Sequence, residues 1–91
     1  ENFMEKILKL LQSGDKADLE IALEIIKSNE EEFLKLFNNQ ERININRPLV
    51  DEYNYIVCKL SGGKVLIIGF STLWIKNIPV SFPKKTTYKY V

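Results

Sequence analysis

Apolar residues recur every three or four positions through the first forty residues, and every second position or in unbroken runs thereafter. This change of period divides the chain into a helical part and a strand part. In "FMEKILKLLQ" Met4, Ile7, Leu8 and Leu11 share one helical face, which Phe3 and Leu10 widen. "SGD" at 13–15 breaks the pattern. Asp15 followed by Asp18 has the spacing of a capping box, with Asp in place of the usual Glu or Gln, so a second helix should begin there. In "KADLEIALEIIKS" Leu19, Ala22, Leu23 and Ile26 form one stripe and Ile21 and Ile25 a second, while Glu20, Glu24 and Lys27 mark the wet side. A helix this apolar should pack against more than one element. Asn29 before Glu30, Glu31 and Glu32 reads as the start of a third helix, the Asn side chain capping a free N–H and the acids suiting the positive dipole end. Phe33, Leu34 and Phe37 should then face inward, and Asn38-Asn39 should end the helix.

From residue 42 the period is two. In "RININR" Ile43 and Ile45 alternate with Arg42, Asn44 and Asn46, which predicts a short strand or extended arm ended by Pro48. By the same alternation Arg47 falls on the side of Ile43 and Ile45, placed to reach a carboxylate of the acidic helices or to anchor an interface. Two long apolar runs follow. "IPVSF" then alternates Ile78, Val80 and Phe82, with Pro79 restricting it to a sheet edge, and "TTYKYV" sets Tyr88 and Tyr90 on one side.

The two apolar runs flank Gly62-Gly63. "SGGKV" lacks the four-residue spacing and the Ser or Thr of a Walker loop, and strand-forming residues continue after Lys64 where a phosphate loop would open a helix. The pair reads instead as a two-residue hairpin turn. That register sets Leu60 opposite Val65 and Cys58 opposite Ile67, with Ile56 over Gly69; on the other face Lys59 meets Leu66, Val57 meets Ile68 and Tyr55 meets Phe70. Both faces are apolar. Three helices cover one; the other needs the carboxy-terminal segments and Trp74, or a partner.

The segment "LLQSGDKADLEIALEIIKS" resembles the paired-helix units of HEAT-like repeat proteins in its short turn and Ala-centred second helix. With no second copy, the chain does not build a solenoid by itself. The expected fold is α+β: two or three N-terminal helices packed on a C-terminal, mostly antiparallel sheet of three to five strands, in one domain over 1–91.

Charge sharpens the division. Net charge is +1, yet residues 1–41 hold ten acidic and five basic side chains and residues 42–91 two acidic and eight basic, or −5 and +6. An acidic helical half and a basic β half either complement each other within the domain or present a basic surface to a polyanion. The composition, 45% hydrophobic and 27% charged, is that of a globular domain. The longest uncharged stretch, "VLIIGFSTLWI", is shorter than the roughly 18–20 residues of a membrane helix, and "ENFMEKILKL" lacks the basic start and apolar run of a secretory signal. A lone Cys58 and no His fit a reducing, cytoplasmic setting.

The same absences restrict chemistry. Without His there is no imidazole base, Ser-His or Cys-His pair, or imidazole metal ligand, and one Cys does not make a zinc site. Cys58, mid-strand among Ile56, Val57 and Leu60, reads as a buried inert thiol. Glu30, Glu31 and Glu32 read as dipole complement and solvated face, and Asp51 and Glu52 as a loop before a strand. We expect no catalysis, no metal and no cofactor.

The binding candidates are Arg42, Arg47, Lys59, Lys64, Lys84, Lys85 and Lys89, with Tyr88 and Tyr90 interleaved and Trp74 as core residue or interface anchor. Lysines and arginines neutralise phosphates and tyrosines stack on unpaired bases. Lysines protecting a solvated edge strand account for the same residues. The first functional expectation is a non-catalytic protein that binds another protein or nucleoprotein, such as a small anti-CRISPR-like inhibitor or accessory protein of a nucleic-acid enzyme. The second is direct binding of RNA or single-stranded DNA through the basic β half. The third is a self-associating structural module, a homodimer through the hairpin or an edge strand.

Overall fold

The computed structural model describes residues 2–37 and 42–91. Three helices, α1 (Phe3–Leu11), α2 (Lys16–Ser28) and α3 (Glu30–Phe37), precede five strands, β1 (Arg42–Asn44), β2 (Tyr55–Lys59), β3 (Lys64–Ile68), β4 (Thr72–Asn77) and β5 (Tyr88–Tyr90). The sheet order is β1-β4-β3-β2-β5. Its pairings are antiparallel except that β5 joins β2 in parallel. The fold is α+β, as the change of period predicts.

Side-chain caps start the first two helices. Asn2 Oδ1 accepts from the Glu5 N–H and Asp15 Oδ1 from the Ala17 N–H, both at 2.8 Å, each satisfying a donor that a helix start leaves free. Asn29 behaves differently from its predicted role. Its Nδ2 donates to the Ile25 carbonyl at 2.8 Å, so the side chain closes the end of α2 rather than opening α3. The two helices follow so closely that the last carbonyls of the first claim the side chain. The expected stop at Asn38-Asn39 lies outside the described residues.

The main core lies between the helices and one sheet face. Ile7, Leu11, Leu19, Ala22, Ile26, Phe33 and Phe37 meet Ile56, Cys58, Leu60, Leu66, Ile68 and Leu73, all buried. The Phe33 and Phe37 rings meet edge to face at 5.3 Å. The second stripe of α2 is only half used. Ile25 is partly buried, but Ile21 stays 44% exposed, because a single layer of helices leaves the outer flank of α2 without a neighbour.

One apolar run divides, and one strand expectation changes. The run 65–75 is two strands, parted by a tight turn over 69–71 in which the Gly69 N–H donates to the Thr72 carbonyl at 3.0 Å. "IPVSF" is not an edge strand. After Asn77 the chain crosses the second sheet face and lays Val80 and Phe82 on Val57, Val65 and Ile67. Those three are 0–3% exposed, so the second apolar face is covered within the chain.

The hairpin register also shifts by one. Val57 pairs with Ile67, Cys58 with Leu66 and Lys59 with Val65. The Leu60 N–H donates to the Lys64 carbonyl at 2.9 Å, making Ser61-Gly62-Gly63 a three-residue connection, with φ of +73° and +71° at the two glycines. With both faces apolar, alternation does not choose the register; the turn does. Glu30 holds that turn, its Oε1 accepting from the Ser61 N–H at 3.2 Å and its Oε2 from the Ser61 hydroxyl at 2.9 Å. Glu30 is therefore a link between α3 and the sheet, whereas Glu31 and Glu32 are exposed as expected. The Tyr55–Phe70 pair does not form: Phe70 leaves the sheet in the β3–β4 turn and lies under the Arg47 guanidinium, 4.8 Å from its ring centre.

Candidate functional site

Alternation along each strand decides which side chains stand on the face away from the helices. Trp74 on β4 pairs with Ile67 and Arg42, and Lys76 with Val65, which in turn pairs with Lys59. On the far edge Tyr88 pairs with Tyr55 and Tyr90 with Val57. Arg42, Lys59, Trp74, Tyr88 and Tyr90, five of the ten predicted candidates, thus share one face, joined by Tyr55 and Lys76.

An aromatic row crosses this face. Tyr55 meets Trp74 edge to face at 6.2 Å and Phe82 at 5.4 Å; Phe82 stacks on Tyr88 at 4.5 Å with 20° between planes; Tyr90 meets Tyr88 at 5.6 Å. The row passes from half-buried at Trp74, Tyr55 and Phe82 to exposed at Tyr88 (44%) and Tyr90 (57%). Polar bonds seat its outer end. The Asn54 and Tyr55 N–H groups donate to the Thr87 carbonyl at 3.0 and 3.1 Å, Asn54 Oδ1 accepts from the Thr87 N–H at 3.0 Å, and the Val91 N–H donates to the Val57 carbonyl at 2.9 Å. β5 is held in place before and after its tyrosines.

Between residues 79–83 and β4 lies an open groove of about 630 Å³, its walls including Trp74, Lys76, Asn77, Val80, Ser81 and Phe82. None of the described lining residues is acidic. From residue 53 to residue 91 the sequence contains no Asp or Glu at all, against six lysines.

The remaining candidates stand elsewhere. Lys84 and Lys85 are exposed in the connection to β5, Lys85 with φ of +65°. Lys64 pairs with Asn77 and Lys89 with Ile56, which puts both on the helical side of the sheet; Lys89 Nζ lies 5.9 Å from the Tyr53 ring centre. Arg47 is 3% exposed. Its Nε donates to the Gly69 carbonyl at 3.1 Å, Nη2 to the Tyr53 and Asn54 carbonyls at 3.3 and 3.2 Å, and Nη1 to Asp51 at 3.4 Å. Burial pushes its pKa down while the Asp51 charge pushes it back up. Arg47 is thus a structural clamp, paired with a neighbouring loop carboxylate rather than one from the helices, and it is removed from the candidate surface.

Sequence reasoning left out Lys76, Tyr55 and Phe82. Alternation in "TLWIKN" sets Lys76 on the side of Trp74 and would have found it. Phe82 had no such signal, because its place depends on a crossing rather than a strand.

Comparison with protein-family models, curated proteins and solved structures yields no match. Burial pushes the Cys58 thiol up, and the charge of Glu52 pushes the Tyr53 phenol up. Among the described residues no group of three or more His, Cys, Asp or Glu is placed to hold a metal ion, and no helix is long and apolar enough to cross a membrane. What the face offers is flat aromatic area and positive charge.

Proposed function

We propose that this chain is a non-catalytic binding protein that holds a single-stranded nucleic acid across the sheet face opposite its helices. The observation that carries this reading is the aromatic row ending in exposed Tyr88 and Tyr90, set beside Arg42, Lys59 and Lys76 where residues 53–91 contain no Asp or Glu. Aromatic side chains hold unpaired bases by stacking, worth about 1–3 kcal/mol per base, and each neutralised phosphate adds a salt-dependent increment. A duplex keeps its base faces stacked on one another and gains only the second contribution.

The test is fluorescence anisotropy of a labelled oligothymidylate of about twelve nucleotides at two salt concentrations. Binding that weakens steeply with salt, and a weaker duplex, support the reading. No binding at low salt overturns it.

The acidic helical layer supports a second reading, an inhibitor or accessory protein of a nucleic-acid enzyme or its complex. Asp15, Glu20, Glu24, Glu31 and Glu32 are all exposed there, a charge pattern able to imitate a phosphate backbone. Inhibition of such an enzyme by a chain that binds no oligonucleotide would favour this version.

A further inference from the structure

The groove between residues 79–83 and β4 differs from the rest of the face. Elsewhere the row is a surface; here Trp74 stands on one side of a cleft whose other side is the crossing segment with Val80 and Phe82. Its 630 Å³ falls within the roughly 300–1,000 Å³ of ligand-sized clefts. Building on the proposed nucleic-acid reading, we infer that this groove is the seat of one unpaired base, stacked on Trp74, with Lys76 and Arg42 neutralising the phosphates on either side of it.

Three observations support the assignment. First, Trp74 is set in place before any ligand arrives. Its edge contact with Tyr55 at 6.2 Å and its position over Gly69 limit the ring's movement, so little rotamer freedom is lost on binding. Second, the cleft is two-sided. Trp74, Val80 and Phe82 bring apolar area to an otherwise open cleft, while Asn77 and Ser81 bring amide and hydroxyl groups suited to the donors and acceptors of a base edge. Third, the charge is of one sign. Lys76 lines the groove and Arg42, cross-strand from Trp74, flanks it, with no carboxylate among the described lining residues to repel a phosphate. Anionic ligands without a flat ring would use the charge and leave Trp74 idle.

Trp74 is the only tryptophan, so its emission reports this position alone. The experiment titrates the protein with a labelled oligothymidylate of about twelve nucleotides and with an abasic oligomer of equal length and charge, reading anisotropy and Trp74 emission together at low salt. The expected result is quenching by the oligothymidylate only, and binding of it tighter than of the abasic strand by at least the roughly 5- to 150-fold that one to three kcal/mol from a single stacked base provides. Ser81→Tyr, a change at an exposed position lining the groove, should fill the cleft, abolish the quenching and weaken the oligothymidylate about tenfold without changing abasic binding. Lys76→Glu should weaken both strands.

Tighter binding of the oligothymidylate with unchanged Trp74 emission overturns the base seat and leaves the binding face standing, its stacking then carried by Tyr88 and Tyr90; equal affinity for the two strands overturns the base seat and the stacking reading of the face together. Absence of binding to either strand overturns the face itself. Wild-type quenching that survives Ser81→Tyr also overturns the groove assignment, since the base would then be stacking elsewhere.

Discussion

Gly69 lies beneath the Trp74 ring: a β-carbon on Gly69 would stand 3.0 Å from Cζ3 of Trp74 and 3.3 Å from Cε1 of Tyr55. The two aromatic rings fill the space that a side chain at this strand-end position would take, a use of glycine that lets rings pack over a sheet. Gly69→Ala therefore has to push one ring aside. The expected cost is about 1–3 kcal/mol, typical of overpacking, accompanied by a shift in Trp74 emission. Urea unfolding followed by tryptophan fluorescence measures both, and an unchanged midpoint and spectrum would show that the rings yield freely.

Arg47 connects the same glycine to the 46–54 loop, since its guanidinium serves the carbonyls of Gly69, Tyr53 and Asn54 as well as Asp51. Arg47→Met removes the donors and strands these acceptors and a carboxylate. The expected loss is about 3–5 kcal/mol, the range for breaking a buried charged pair. Arg47→Lys should recover only a part, because one ammonium does not span four acceptors. Thermal unfolding ranks the three proteins, and a Lys variant as stable as wild type would contradict the clamp.

How much of this was readable in the chain depends on whether the controlling interaction is local. The helices follow from spacing and caps, and the side on which Arg47 falls follows from alternation, because both are settled within a few residues. The hairpin register does not, since both faces are apolar and the turn that chooses it is held in part by Glu30, thirty-one residues away. "IPVSF" alternates like a strand, yet it crosses the sheet because the second face offered Val57, Val65 and Ile67 for burial. Half the candidate surface was legible for the same reason. Arg42, Lys59, Trp74, Tyr88 and Tyr90 gather once strand order is known, whereas Lys64 and Lys89 fall on the helical side by register alone.

The Glu30–Ser61 contact gives a prediction of its own. Glu30→Ala leaves the Ser61 N–H and hydroxyl to solvent at an exposed turn, so the global cost should be small, about 1 kcal/mol. The local effect should be larger. Amide exchange at residues 61–64 should accelerate while the strand amides of Val57 and Ile67 keep their protection, a separation that hydrogen-exchange NMR resolves.

Cys58 adds a pH-dependent contribution to the stability of the fold at high pH. It lies fully buried against the helical core, and desolvation pushes its pKa above the ordinary thiol value of about 8.5, with the nearby charge of Lys27 opposing and that of Glu30 adding. The sign follows from which state ionises first. As pH rises the unfolded thiol loses its proton while the folded one retains it, so the buried thiol's contribution is complete below about pH 8.5 and is lost as pH climbs toward the folded value. Other groups also titrate there, so the measurement is a difference between two proteins. Cys58→Ala, though less stable at neutral pH because of the cavity it leaves, should lose less stability than wild type between about pH 8.5 and 10, the two curves converging by at most about 1.4 kcal/mol per pH unit. Urea midpoints across that range test it; parallel curves would mean that the thiol ionises alike in both states.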